Sequence, residues 1–274
     1  MGKRILVAVI FVPILFVIMM FLPPVVWTLV VAFIASMAAA ELLRATGEGK
    51  VSLPMKVITL ASAAAIPIGC WQGKATVVIG VAAFAVMACC FWCAIRAYDE
   101  DGGSIRLYHV LLACFGGVLI SAGLSSLVAL KCMEQGSYLV LFAVLLTFAT
   151  DTSAYFAGVF LGKHRGITKV SPNKSLEGYI GGLIGGVVFA VIYGLVISAV
   201  ADRAVNYTVM IFCGLVGALF TELGDLSFSL IKRQYGVKDY GNLLPGHGGM
   251  LDRFDSMIFC GPVVLFFVTM APVF

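Results

Sequence analysis

Residues 179–200 read YIGGLIGGVVFAVIYGLVISAV, 22 positions without one charged side chain. An α-helix crosses the hydrocarbon core of a bilayer in roughly 20 mostly apolar residues. Segments 5–21, 25–40, 57–71, 75–95, 107–129, 138–160, 206–230 and 255–273 are similarly apolar. Inside lipid every backbone polar group must be satisfied within the chain, which leaves the helix as the form such runs can take. The sequence therefore predicts an all-α, polytopic integral membrane protein with about nine transmembrane helices and short loops.

Composition agrees. Of 274 residues, 61% are hydrophobic and 12% are charged, against about 45–50% and 25% in a soluble domain. Mean hydropathy is +1.07. These figures exclude a water-soluble enzyme, a disordered chain and a nucleic-acid-binding domain, so no nucleic-acid partner is expected. Run 5–21, preceded by Lys3 and Arg4, starts like a signal peptide. A second span follows at once, after Pro23 and Pro24, so the pair reads as an uncleaved helical hairpin. The eight cysteines lie almost wholly in apolar runs and read as helix filling. Cys90 and Cys93 form a lone C-x-x-C in mid-span, with no histidine nearby.

Sidedness comes from Lys and Arg in the loops. With the N-terminus in the cytoplasm, 15 of the 18 fall on the cytoplasmic side; only Lys74, Lys131 and Arg203 fall opposite. The expectation is a multi-pass protein of the cell inner membrane, N-terminus cytoplasmic. Residues 1–135 (spans one to five) keep their charges in loops. Residues 136–274 (spans six to nine) hold two polar loops, 161–178 and 231–254, and read as the catalytic region of one structural unit.

Three pieces of that region carry chemistry. The first is LVGALFTELGDLSFSLIKR at 215–233. A carboxylate at bilayer depth costs about 2.5–3.5 kcal/mol on insertion scales, so Asp225 and Glu222, three apart on one helix face, call for a cation. Ser229 follows one turn later, and Lys232 and Arg233 stand at the helix mouth. The second is KRQYGVKDYGNLLPGHGGMLDRFDS at 232–256. Its glycines, Gly248 and Gly249 among them, allow a backbone to approach phosphates. Lys232, Arg233, Lys238 and Arg253 supply positive charge, and Arg clamps phosphate oxygens in a fork. Asp252 and Asp255 open the last helix, and carboxylates beside such cations suit Mg²⁺ shared with substrate phosphates. His247 can donate to phosphate or shuttle a proton. The third is DTSAYFAGVFLGKHRGITKVSPNKSLEGYIGG at 151–182, with Asp151 inside a span and Ser171 and Lys174 in the loop after it. Gly158-x-x-x-Gly162-Lys163-His164 is not a P-loop: it is one residue short and lacks the Ser/Thr. Gly181, Gly182, Gly185 and Gly186 form small-x-x-x-small pairs, the pattern of close helix packing; they are also compatible with a homodimer.

Stretch 229–255 resembles the signature of the phosphatidate cytidylyltransferase (CDP-diacylglycerol synthase) family. Ser229, Lys232, Arg233, Lys238, Asp239, Gly241, Leu244, Pro245, His247, Gly248, Gly249, Asp252, Arg253 and Asp255 match it without a gap. Asp151 to Tyr155 and Ser171 to Gly178 match two upstream pieces, with Ser153 where the family has Gly. Glu222 is outside the pattern. The resemblance implies that CTP and membrane phosphatidic acid give CDP-diacylglycerol and pyrophosphate. It implies Asp225 and Asp252 as metal carboxylates for Mg²⁺, with Asp255 next; paired carboxylates also permit a second cation. Lys232, Arg233 and Arg253 join the catalytic set with His247. Lys174, Ser171, Lys238, Asp239, Gly248, Gly249, Ser229 and Asp151 would bind substrate. A CTP-dependent enzyme on another lipid, such as a polyprenol kinase, would carry a similar site. A cation-coupled transporter would use Asp151 and Asp225 as an ion path, but the polar residues crowd one membrane face.

Overall fold

The structure is a computed structural model that describes residues 2–201, 204–243, 248–271 and 273, with side chains from residue 12 onward except Asp101. His247, with Leu244, Pro245 and Gly246, lies outside the described residues. The helices are α1 (Gly2–Phe21), α2 (Pro24–Thr46), α3 (Leu53–Trp71), α4 (Ala75–Asp101), α5 (Leu107–Cys114), α6 (Ser121–Cys132), α7 (Gly136–Phe160), α8 (Leu176–Ala201), α9 (Tyr207–Gln234) and α10 (Leu251–Met270). A π-helical segment, Phe115–Ile120, joins α5 to α6, so the three form one span. Among the described residues there is no β-strand, only one isolated antiparallel bridge between Arg165 and Ser175.

Eight helical stretches among the described residues are long and apolar enough to cross a membrane. The ninth expected span, 5–21, coincides with α1, whose stretch Val12–Phe21 is a shorter apolar helix. The chain is thus an all-α polytopic membrane protein. Its breaks follow local chemistry. Pro23 and Pro24 stand at the start of α2, where a missing N–H costs nothing. Gly102, at φ 77°, ends α4 in the left-handed conformation. Hydroxyls inside the helices bond back to the carbonyl four residues earlier: Thr28 to Pro24, Thr59 to Met55, Thr150 to Leu146 and Thr221 to Gly217. They therefore bring no unsatisfied donor into an apolar setting.

The chain divides into two compact units. The first holds residues Met1–Cys132 and Tyr235–Phe254. Here α3 packs against α2, α4 and α6 around buried Trp27, Leu42, Met55, Ile66, Leu124 and Leu127. Two buried donors bond across helices: Trp27 Nε1 donates to the Leu127 carbonyl at 3.1 Å, and Ser121 Oγ to the Ala63 carbonyl at 2.8 Å.

The second unit holds Met133–Gln234 and Asp255–Phe274. Its centre is α8, packed on α7 and α9. Gly178, Gly182, Gly186, Ala190 and Gly194 face inward at four-residue spacing, while Ile180, Ile184, Val188 and Ile192 face outward. The small residues let backbones approach. A Cβ at Gly186 would lie 2.6 Å from Ala218 Cβ and 3.1 Å from the Gly214 carbonyl oxygen. Gly181 lies against Ala157, and Gly185 against Ser153. Ser153 thus finds its room opposite a glycine. All four glycines expected at a close packing face are used inside this one chain, so they carry no argument for a homodimer.

Gly186→Leu should lower the thermal midpoint of the detergent-solubilised protein, at an overpacking cost of about 1–3 kcal/mol or more. Ile184→Leu, on the outward face, should change stability by less than about 0.5 kcal/mol. Equal effects in a thermal melt would contradict this packing.

Candidate active site: a lysine held among carboxylates

In the second unit, Lys174 Nζ lies 2.6 Å from Asp225 Oδ2 and 3.4 Å from Glu222 Oε2. Both acids sit on one face of α9, three residues apart. Glu222 is 5% exposed, and its Oε1 has no hydrogen-bond partner. Gly182 makes room for that oxygen, since a Cβ there would overlap it. Asp151, on α7, feels the charges of Asp225, Lys174, Asp255 and Glu222. Asp255 is buried on α10, where its Oδ1 accepts the Ser256 N–H at 2.8 Å. Gly224, between the two acids of α9, brings α10 close: a Cβ there would lie 3.1 Å from the Asp255 carbonyl oxygen and from Ser256 Cα.

Lys174 is carried on the loop between α7 and α8. The loop's two ends are tied by the Arg165–Ser175 bridge and by the Leu176 N–H donating to the His164 carbonyl at 3.0 Å. His164 Nδ1 meets Glu177 Oε1 at 2.6 Å. Ser175 Oγ accepts the Gly178 N–H at 3.1 Å, which satisfies an open amide at the start of α8. The Lys174 N–H closes a turn on the Ser171 carbonyl at 3.1 Å, and Arg233 Nε donates to the Val170 carbonyl at 3.3 Å. The Lys174 ammonium also stands 5.2 Å over the Tyr179 ring. Burial opposes its charge, but the carboxylates of Asp225 and Glu222 more than offset that and hold its pKa above the ordinary lysine value.

In the first unit, the polar loop turns around Asp252. Asp252 Oδ2 accepts the Tyr240 N–H at 2.8 Å and the Gly249 N–H at 3.0 Å. The Gly249 amide is thus committed to a carboxylate. Gly248 has a φ of 84°, a conformation glycine adopts without strain. A Cβ there would lie 3.1 Å from Asp252 Oδ2 and 3.4 Å from Asp239 Oδ1. Lys238, Asp239 and Arg253 are exposed.

The structure therefore brings Asp151, Lys174, Asp225 and Asp255 together in the second unit, and Asp239, Gly248, Gly249 and Asp252 in the first. Ser229 lies one turn beyond Asp225, and Lys232 and Arg233 occupy the last turn of α9. Two residues outside the expected set join them. Glu222 pairs with Lys174, as its three-residue offset from Asp225 foreshadowed. Glu41, at 0% exposure, accepts the Leu251 N–H at 2.8 Å. In sequence it is a carboxylate amid AAAELL, one residue beyond the 25–40 run, a place that suits a solvated helix end equally well.

Among the described residues no three His, Cys, Asp or Glu side chains are grouped to hold a metal ion by themselves. The second unit's donors nonetheless have the chemistry that suits a magnesium ion. Its acids supply hard oxygens, the kind Mg²⁺ takes through one or two carboxylates. Glu222 Oε1 lacks a partner, and Asp151, Glu222 and Asp225 interact with one lysine.

Lys174→Met should destabilise the protein by about 1–3 kcal/mol, because buried Glu222 and half-buried Asp225 lose a charged donor. Adding Glu222→Gln should recover part of that loss. Thermal melts of both variants check the coupling, and a double variant no more stable than Lys174→Met would refute it.

With this geometry established, the comparisons with known proteins are specific. Residues 2–271 match the model of the cytidylyltransferase family. The phosphatidate cytidylyltransferase of Staphylococcus aureus (strain COL) is 40% identical over 131 residues, covering 48% of this chain and 49% of that protein. The phosphatidate cytidylyltransferase of Staphylococcus haemolyticus (strain JCSC1435) is 39% identical over 131 residues, with the same coverage. The aligned part spans about half the length of these relatives. The family match reaches almost end to end, and the chain belongs to the cytidylyltransferase family.

Proposed function

We propose that this protein transfers CMP from CTP to phosphatidic acid, giving CDP-diacylglycerol and pyrophosphate for phospholipid synthesis. The observation that carries this reading is Lys174 held between Asp225 and Glu222 in a membrane-embedded acidic cluster, on a chain of the cytidylyltransferase family. An oxygen of the lipid phosphate attacks the α-phosphorus of CTP. A new P–O bond forms, the bond to the β-phosphate bridge breaks, and pyrophosphate leaves with the electron pair. A phosphate monoester is mostly dianionic near pH 7, with its second pKa about 6. The attacking oxygen therefore needs no general base. The chain's task is to position the two anions and to neutralise their charge.

Lys232, Arg233, Lys238 and Arg253 are the cations of this proposal, and His247 is a donor to the leaving phosphates. Lys174, now paired with Asp225 and Glu222, would exchange a carboxylate for phosphate oxygens as its partner. Asp225 and Asp252 are the metal carboxylates, each tested by its own variant. Bound Mg²⁺ would supply further charge neutralisation on phosphate oxygens. The distribution of Lys and Arg supports a cytoplasmic site in the cell inner membrane, where CTP is present, with the N-terminus on the same side.

Purified protein given α-³²P-CTP and phosphatidic acid should place label in lipid when Mg²⁺ is present and lose that activity in EDTA. Asp225→Asn and Asp252→Asn should each lower turnover by about 100-fold or more, with folding intact in a thermal melt. Label from γ-³²P-CTP in lipid would instead show a kinase. A cysteine introduced beside Lys174 should react only with reagents added from the cytoplasmic side; labelling from outside would overturn the orientation.

A further inference from the structure

Glu41 is a buried carboxylate that the proposed chemistry does not use. It lies near the C-terminal end of α2, 0% exposed. Among the described residues it forms no ion pair, and its Oε1 has no hydrogen-bond partner. Its Oε2 accepts the N–H of Leu251, the first residue of α10, across 210 positions of sequence. That amide is one of the four a helix start leaves open, and a negative charge there is favoured by the helix dipole.

Two glycines of the polar loop rest on the same side chain. A Cβ at Gly241 would lie 2.7 Å from Glu41 Cδ, and one at Gly249 would lie 2.6 Å from it. Neither glycine has a positive φ, so backbone conformation does not require glycine at either position. The space occupied by Glu41 does. The next link is Asp252, whose Oδ2 collects the Gly249 and Tyr240 amides. Glu41 thus touches the loop at three points: Gly241, Gly249 and Leu251, the last one residue before Asp252.

We propose that Glu41 is a positioning residue, an acceptor that seats Gly241, Gly249 and Leu251 and holds Asp252 in register with its backbone donors. The kinetic consequence rests on the proposed cytidylyl transfer; the structural consequence does not. The role needs an acceptor of the right length, so glutamine should serve nearly as well as glutamate, whereas alanine should not.

The test uses the full chain in detergent with two readouts, tryptic cleavage after the exposed Lys238 and turnover of CTP with phosphatidic acid. Loss of a buried hydrogen bond to a charged acceptor corresponds to roughly tenfold to a hundredfold. Glu41→Ala should speed cleavage and lower kcat by that order, and Glu41→Gln should restore both to within a few-fold of wild type. Gly241→Ala supplies a variant that keeps Glu41. It should speed cleavage by pushing against the carboxylate, and this effect should vanish when Glu41 is already alanine. The proposal is overturned if Glu41→Ala leaves cleavage unchanged, if Glu41→Gln is as impaired as Glu41→Ala, or if Gly241→Ala acts equally in both backgrounds. Wild-type protein without cytidylyl transfer would remove the proposed reaction, and the cleavage results would still decide the role of Glu41.

Discussion

The ion pair between Lys174 and Asp225, shared with Glu222, is the interaction on which the second unit turns. Carboxylates on membrane-spanning helices are costly unless a cation meets them. The cation comes from outside the helices, on a loop whose ends are tied by a backbone bridge and by His164 and Glu177. The loop's order and the acids' burial are therefore one arrangement. Breaking either end of the loop would strand charge in an apolar setting, which is among the larger penalties a folded protein can meet.

Glycine does different work in the two units. Along α8 it removes bulk, so that helices meet at backbone distance and Glu222 finds a pocket against Gly182. In the polar loop, Gly241 and Gly249 remove bulk around a carboxylate rather than around another helix. Gly248, in contrast, has a positive φ and is needed for its backbone angle. A motif dense in glycine invites a phosphate-cradle interpretation, yet one of its amides already donates to Asp252. The loop is first a structure organised by buried acids.

Much of the fold was legible because lipid imposes a simple rule: long uncharged runs become helices. The expected span 179–200 falls inside α8, and 138–160 inside α7. The π-helical step at Phe115–Ile120 was not legible, since its apolar sequence is like that of any other span. In the site, Asp225 and Lys174 stood out as a charge in a helix and a charge in a polar loop, but their contact spans 51 positions and no local pattern encodes it. Glu41 escaped for a related reason. At the end of an apolar run a carboxylate looks solvated, and only the distant Leu251 amide shows that it is enclosed.

The inverted composition of α8 bears on how the chain assembles. With bulky aliphatics outward and glycines inward, this helix is apolar all round, so partitioning into lipid carries almost no information about which face belongs inside. Rotational orientation must be read afterwards, sterically, when α7 and α9 arrive and only the glycine face lets them close. Insertion and recognition are therefore separable for this segment: the first tolerates almost any apolar sequence, and the second almost no change in size along a single stripe. Natural variation along α8 should accordingly run opposite to that in a water-soluble helix, with free exchange among large residues on the outside and near-invariance among the smallest residues within.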